Sequence, residues 1–361
     1  MTTLMQASNQ WRTRPDDQRF LSLTDLNQHC AAARQLSRGK VVSSRALTVQ
    51  PTSNTELQVV GPNGAPCDVN HWSFGQLATR AGAPAGYLRD LPAPIAADAL
   101  NYGLKFHRDV EDVGVLLQKA DDSVLLRAVT GPNYGRVWNH TITEALLNRF
   151  GDGLTGAFRV PGEFGRQVAV TKANTTLYAS DRDMFVFLAD ETHRIEMKNR
   201  RDGKPGELSR GFFVWNSEVG AQSFGVAMFL FDYVCSNRIV WGAQGYQEIR
   251  LRHTASAPHR WIEEVAPAIE AYASSSTVGV TQAIAAAQAK KVDDLDMFLR
   301  NRFSASQVAA IKAAHMEDEQ RPMETLWDVT TGVTAYARGI QHQNERVTVE
   351  REAGKILKLA A

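Results

Sequence analysis

Three groups of residues in this chain carry side chains capable of chemistry. The first is acidic: Asp181, Asp183 and Asp190 precede Glu196-Met197-Lys198. A carboxylate followed by Glu-x-Lys on adjacent strands is the arrangement of restriction-type nucleases. There two carboxylates hold a divalent metal and the lysine orients the attacking water. Glu-x-Lys is also a common tripeptide, and an exposed strand and turn is the simpler reading. The second group is basic. His193 to Arg210 holds Arg194, Lys198, Arg200, Arg201, Lys204 and Arg210 against Glu196, Asp202 and Glu207, a local balance of +3. Read as a long Gly/Pro-containing loop, this stretch can track phosphates, or it is simply a solvated loop. The third group mixes rings with cations: Tyr134, Arg136, Trp138, Phe158, Arg159, Phe164, Arg166, Lys172 and Tyr178. Aromatics beside cations serve a single-strand binder that ignores sequence, and the same rings serve equally as core. The candidate nucleic-acid-binding residues are therefore Arg136, Trp138, Arg159, Arg166, Lys172, Arg194, Lys198, Arg200, Arg201 and Lys204.

Other chemistries lack their residues. His253, His259 and His315 stand apart, none with a helical i, i+4 partner, so no metal cluster is expected. The glycine-spaced stretch 151–156 lacks the Lys-Ser or Lys-Thr ending of a phosphate loop. No Gly-x-Ser-x-Gly occurs, and no cysteine has a local histidine signature. Cys30, Cys67 and Cys235 are an odd number and fit reduced thiols in a cytoplasm. No catalytic residue, cofactor or metal is assigned. At 361 residues, 43% hydrophobic and 22% charged, the composition is that of an ordinary globular protein. Forty basic and 39 acidic residues leave a net charge of +1, which argues neither for nucleic acid nor for a membrane surface. The N-terminal MTTLMQASNQWRTRPDD has no apolar secretion core, so a cytoplasmic protein is expected.

These candidates need elements to position them. The longest apolar run, GFFVWNSEVGAQSFGVAMFLFDYVCSNRIVWG, spans residues 211–242. Phe212 to Trp215 predict a strand, and Asn216-Ser217-Glu218 a polar corner that caps a buried helix over 219–235. Asp232 and Asn237 argue against a membrane span. Upstream, the pattern predicts a helix at 24–37, strands at 41–49 and 56–60, and a structural helical hairpin turning at Gly82. A further helix is predicted at 100–106, a β-hairpin at 113–129 and a helix after Thr141. Strands are predicted at 156–160, 167–173 and 184–189, with one wet face. Beyond 250 the chain reads as helical, alanine-rich and suited to bundles or subunit contacts. The fold class expected is α+β: a mainly antiparallel sheet with flanking helices, followed by an all-helical C-terminal region. The regions expected are a flexible 1–19, an N-terminal α+β region at 20–110, a central core at 111–250 and a helical region at 251–361.

Several blocks also carry a resemblance. Arg182-Asp183-Met184-Phe185, GFFVWNSEVGAQSF and FLFDYVCSNRIVWG resemble the signature blocks of a phage/plasmid-like protein family, domain of unknown function 932. NYGRVWN is similar to that family's Tyr-Arg-Val-Val-x-Asn block, with Gly135 inserted before Arg136, and REAGKILKLA to its closing helix. The resemblance implies an accessory gene of phages, plasmids and integrated elements, and such genes often act on DNA replication, recombination or host defence. It implies no catalytic residues. The function expected is non-enzymatic nucleic-acid binding, with single-stranded DNA binding or annealing as its specific form and a homo-oligomer as its setting. The alternatives are a metal-dependent nuclease using Asp183, Asp190, Glu196 and Lys198, and a protein-binding accessory that acts on host defence through its helical tail.

Overall fold

The computed structural model describes residues 14–107, 112–161, 169–200, 204–232, 238–239, 249–276, 278–340 and 343–360. The chain begins with strand β1 (Arg19–Phe20) and helix α1 (Leu23–Leu36). The cap of α1 is Ser22, two residues before the expected Thr24; its hydroxyl accepts the Asp25 N–H. Strands β2 (Ser37–Ser43), β3 (Thr48–Pro51), β4 (Leu57–Val60) and β5 (Pro66–Val69) follow. Helices α2 (His71–Arg80) and α3 (Ala85–Arg89) form the predicted hairpin, with Gly82 at φ +68°, a conformation that favours glycine. Helix α4 (Ala93–Phe106) begins well before the expected Leu100, with Pro94 in its first turn, where no N–H is needed. Strands β6 (Asp112–Lys119) and β7 (Val124–Thr130) complete a six-stranded sheet in the order β2-β6-β7-β5-β4-β3. Only β5 and β7 run parallel in it. Leu77, Ala78, Leu100 and Leu104 of the helices pack with Val49, Val59, Val113 and Leu126 of the strands. The boundary expected at residue 110 thus falls inside this sheet: β6 and β7 supply its centre.

Helix α5 (Asn139–Phe150) leads into the second sheet. Its strands are β8 (Phe158–Arg159), β9 (Leu177–Ala179), β10 (Met184–Asp190), β11 (Ile195–Arg200), β12 (Lys204–Asn216), β13 (Phe224–Asp232), β14 (Arg238–Ile239) and β15 (Ile249–Leu251). The path is β1-β9-β10-β12-β13-β14, with β8 also on β10, β11 on β12 and β15 on β13, all antiparallel. Four expectations are corrected here. The buried helix over 219–235 is instead a turn and the strand β13, paired with β12 from Leu208↔Asp232 to Trp215↔Gly225. Residues 233–235 lie outside the described residues. Strand β10 has no wet face. Met184, Val186 and Leu188 join the core with α1 and α5, while Phe185, Phe187 and Ala189 pack with Tyr178, Phe213 and Trp215 on the other side. The strand expected at 167–173 is, over its described part, an irregular segment ending in a turn held by Thr175 N–H to Thr171 C=O. The long loop at 193–210 is the β11–β12 hairpin.

The C-terminal region is helical as expected: α6 (Ala257–Arg260), one π-helical turn (Trp261–Val265), α7 (Ala266–Ser274), α8 (Val278–Ala289), α9 (Leu295–Arg300), α10 (Ala305–Glu319), α11 (Leu326–Gly339) and α12 (Gln343–Lys358). Ser304 and Thr325 close capping boxes on α10 and α11. Trp261, Val265 and Ile269 dock on the second sheet's core, whereas α8 to α12 enclose a cluster of their own around Ile311, Trp327, Val333 and Ile356. Among the described residues, no helix is long and apolar enough to cross a membrane.

Candidate functional site

The Asn216-Ser217-Glu218 corner is the turn between β12 and β13, and all three residues are buried. Gly220 turns the chain at φ +83°. Three consecutive carbonyls point outward from this turn, and each is met by a donor from elsewhere. The Tyr134 hydroxyl donates to Ser217 C=O at 2.8 Å, and Arg136 Nε donates to Glu218 C=O at 2.7 Å. Trp72 Nε1 and Gln76 Nε2 both donate to Val219 C=O, at 3.0 and 2.8 Å. The Glu218 carboxylate pairs with Arg127 of β7 at 3.0 Å, side chains 3% and 5% exposed. Its other oxygen accepts the Asn139 N–H at 2.8 Å, which caps α5. Arg127 also donates to the Ser37 hydroxyl and the Asp181 carbonyl. Asn216 donates to Val137 C=O and to Asn139 Oδ1. The corner is thus a cap, but of α5 rather than of a helix following it. It binds the two sheets together. Sequence reading missed Arg127, Gln76 and Trp72. The available signal was a lone arginine inside VLLRAVT, since a buried cation requires a buried acid.

The aromatic and basic group is committed inward. Burial holds the Arg136 guanidinium below its ordinary pKa and pushes the Tyr134 phenol up. Trp138 lies under the Arg34 guanidinium, 4.0 Å from its ring centre, and packs against Leu116, Ala128 and Val219. Arg159 donates to the carbonyls of Gly156 and Thr155, and Lys172 to those of Asp16 and Arg19. Phe158 and Tyr178 are buried. Arg166 and Phe164 lie outside the described residues. A continuous stacking platform is therefore not what these residues build.

Nor do the acidic residues converge. Asp183 and Asp190 stand at opposite ends of β10, about 23 Å of strand apart. Asp183 pairs with Arg14 at 2.8 Å. Asp190 pairs with Arg210 at 3.2 Å; burial opposes its charge, but the His193 and Thr192 N–H groups outweigh that and hold its pKa below the carboxylate range. Glu196 is exposed on β11, which pairs with β12 and not with β10. Among the described residues no three His, Cys, Asp or Glu side chains are placed to share a metal ion. Among the described residues, the carboxylates of the nuclease arrangement are not brought together.

The remaining cations sit on the β11–β12 ribbon. Arg194, at its base, is paired with Glu191 at 3.0 Å. Lys198 and Arg200 lie on β11 and Lys204 opens β12, with Arg200 opposite Lys204 in the register. Arg201 lies outside the described residues. Elsewhere, a groove of about 630 Å³ beside β4, β5 and α2 is lined by Glu56, Gln58, Asp68, His71, Phe74 and Arg89. Arg89 there donates to His71 C=O and lies over the Phe74 ring.

Fold and site together define an α+β protein whose polar centre is a structural clamp between two sheets. The family described as Domain of unknown function (DUF932) matches residues 166–355, and the chain belongs to that family. The match covers the core of the second sheet, the ribbon and nearly all of the helical tail. No curated protein and no solved structure matches the chain.

Proposed function

We propose that this chain is a non-enzymatic nucleic-acid-binding protein that holds the phosphate backbone through the β11–β12 ribbon. The carrying observation is the register of that hairpin, which brings Arg200 opposite Lys204. Lys198, Arg200, Arg201 and Lys204 fall within seven positions whose only acid is Asp202. A basic two-stranded ribbon can enter a groove or run along a backbone, and its affinity comes from counterion release. Inward commitment of Tyr134, Trp138, Phe158 and Tyr178 removes these rings from stacking, so binding rests on phosphates and tolerates any sequence. Single-stranded DNA is the ligand form favoured, because a flexible strand conforms to a narrow ribbon. A cytoplasmic role in recombination or replication of a mobile element fits the resemblance of the sequence blocks.

Fluorescence anisotropy with a labelled single-stranded oligonucleotide tests this. The full chain is expected to bind at low salt with an affinity that falls steeply as salt rises. K198A/R200A/R201A/K204A is expected to flatten the log–log salt dependence by up to about 3 units. No binding at low salt, or an unchanged slope in the variant, overturns the proposal.

A further inference from the structure

Helix α4 has two apolar faces, and the fold buries one of them. Ala93, Ala96, Ala97, Leu100, Gly103 and Leu104 face the first sheet's core. A second stripe runs along Ile95, Ala99, Tyr102 and Phe106, spaced by four, three and four residues. At 3.6 residues per turn these four fall within an arc of about 60°. Ile95, Tyr102 and Phe106 are 55%, 70% and 69% exposed, and the two rings touch, their centroids 5.2 Å apart, while Ala99, between Ile95 and Tyr102, is half-buried at the edge of the first sheet's core. A run of large apolar side chains this exposed marks an interaction surface. Its alternating four–three spacing is the seam of a two-helix coiled coil.

The seam is complementary to itself. We propose that α4 is the contact between two copies of this chain, packed antiparallel about a two-fold axis between Leu100 and Asn101. That axis sets Ile95 of each copy against Phe106 of the other, and the small Ala99 against the large Tyr102. Asp98 and Lys105 are exposed, one heptad apart on the same flank of the stripe. Antiparallel packing brings Asp98 of one copy to Lys105 of the other, twice by symmetry. Parallel packing would set this flank against the opposite flank of the other helix, so Asp98 and Lys105 would not meet. An anionic lipid or nucleic-acid surface would call for a uniformly basic flank, and this flank carries one charge of each sign.

Sedimentation velocity of the full chain over a wide concentration range tests the pairing. The wild type is expected to show a reversible monomer–dimer equilibrium. D98K or K105D alone is expected to raise the dissociation constant about tenfold, and D98K/K105D to return it close to the wild-type value. Y102D/F106D is expected to leave only monomer while retaining the wild-type circular dichroism. A wild type monomeric at every concentration overturns the proposal. So does a dimer indifferent to these substitutions, or single charge reversals that the double reversal does not rescue. A monomer that floats with anionic vesicles through Tyr102 and Phe106 also overturns it, in favour of a lipid surface.

Discussion

Arg127 and Glu218 lie at a point where two sheets and a helix end meet, and water is excluded from both. An ion pair so buried contributes little net stability while intact, because each charge lost its hydration on folding. Removal of one partner is another matter, for the survivor stays buried and uncompensated. Glu218→Ala also uncaps α5, since the same carboxylate holds the Asn139 N–H. The variant is expected to lose roughly 3–5 kcal/mol in urea titration. Glu218→Gln, which keeps an acceptor for Asn139, is expected to lose less. A change under about 1 kcal/mol for Glu218→Ala would show that the turn is not the clamp described. The sequence marks Ser217 and Glu218 as capping residues correctly by type. It assigns them to a helix that does not form because local reading looks only downstream: Ser217 accepts the Val219 and Ala221 N–H groups inside the turn, and the helix that Glu218 serves starts 79 residues earlier.

At the scale of elements, Trp215 and Gly225 explain why β13 is a strand. They face each other across β12 and β13, and a Cβ at Gly225 would collide with the indole. The glycine is the space the ring fills. Gly225→Ala is expected to destabilise the protein by about 1–3 kcal/mol and to alter Trp fluorescence as the ring is displaced. Wild-type thermal stability in this variant would refute the packing argument. An apolar run with no polar face cannot be assigned by period, since a strand covered on both sides and a buried helix look alike. The two glycines, Gly220 and Gly225, favoured a turn and a strand. The ribbon was obscured for a related reason: Gly203, Pro205 and Gly206 read as loop, yet β12 runs through two of them.

The whole molecule has separate cores joined by polar contacts, and this sets how it answers acid. His253 stacks on Tyr134 and contacts Gly135 C=O through Nδ1. Gly135 itself must lack a Cβ, because one would strike the Thr254 carbonyl. Burial lowers the His253 pKa from 6.5 to about 4, and burial likewise lowers that of His315, whose ring nitrogens have no hydrogen-bond partner among the described residues. Both rings are therefore neutral in the folded state, and the unfolded chain binds their protons first. Stability is expected to be flat from pH 7 down to 6.5, to fall as pH drops from 6.5 toward 4, and to fall further below about 3.8. The second fall comes from Asp190 and Asp328, whose pKa values lie below that of a free carboxylate. Urea midpoints measured across this range check the prediction. His253→Phe, which keeps the stack and loses the titration, is expected to flatten the upper part of the curve. A wild-type curve level from pH 7 to 4 would rule the account out.

The amino-acid sequence alone determined most of the helices and several of the strands. It also determined the class, α+β with a helical end, because periodicity, glycine placement and N-cap chemistry act within a few residues. Only the tertiary structure decided which carbonyl Arg136 meets, which acid Arg127 requires and which helix Glu218 caps. It also decided that the acidic residues of β10 never share a site. Those outcomes depend on pairings between residues tens of positions apart, where burial makes a charge seek whichever partner the packed sheets bring within reach, and no local pattern records that choice.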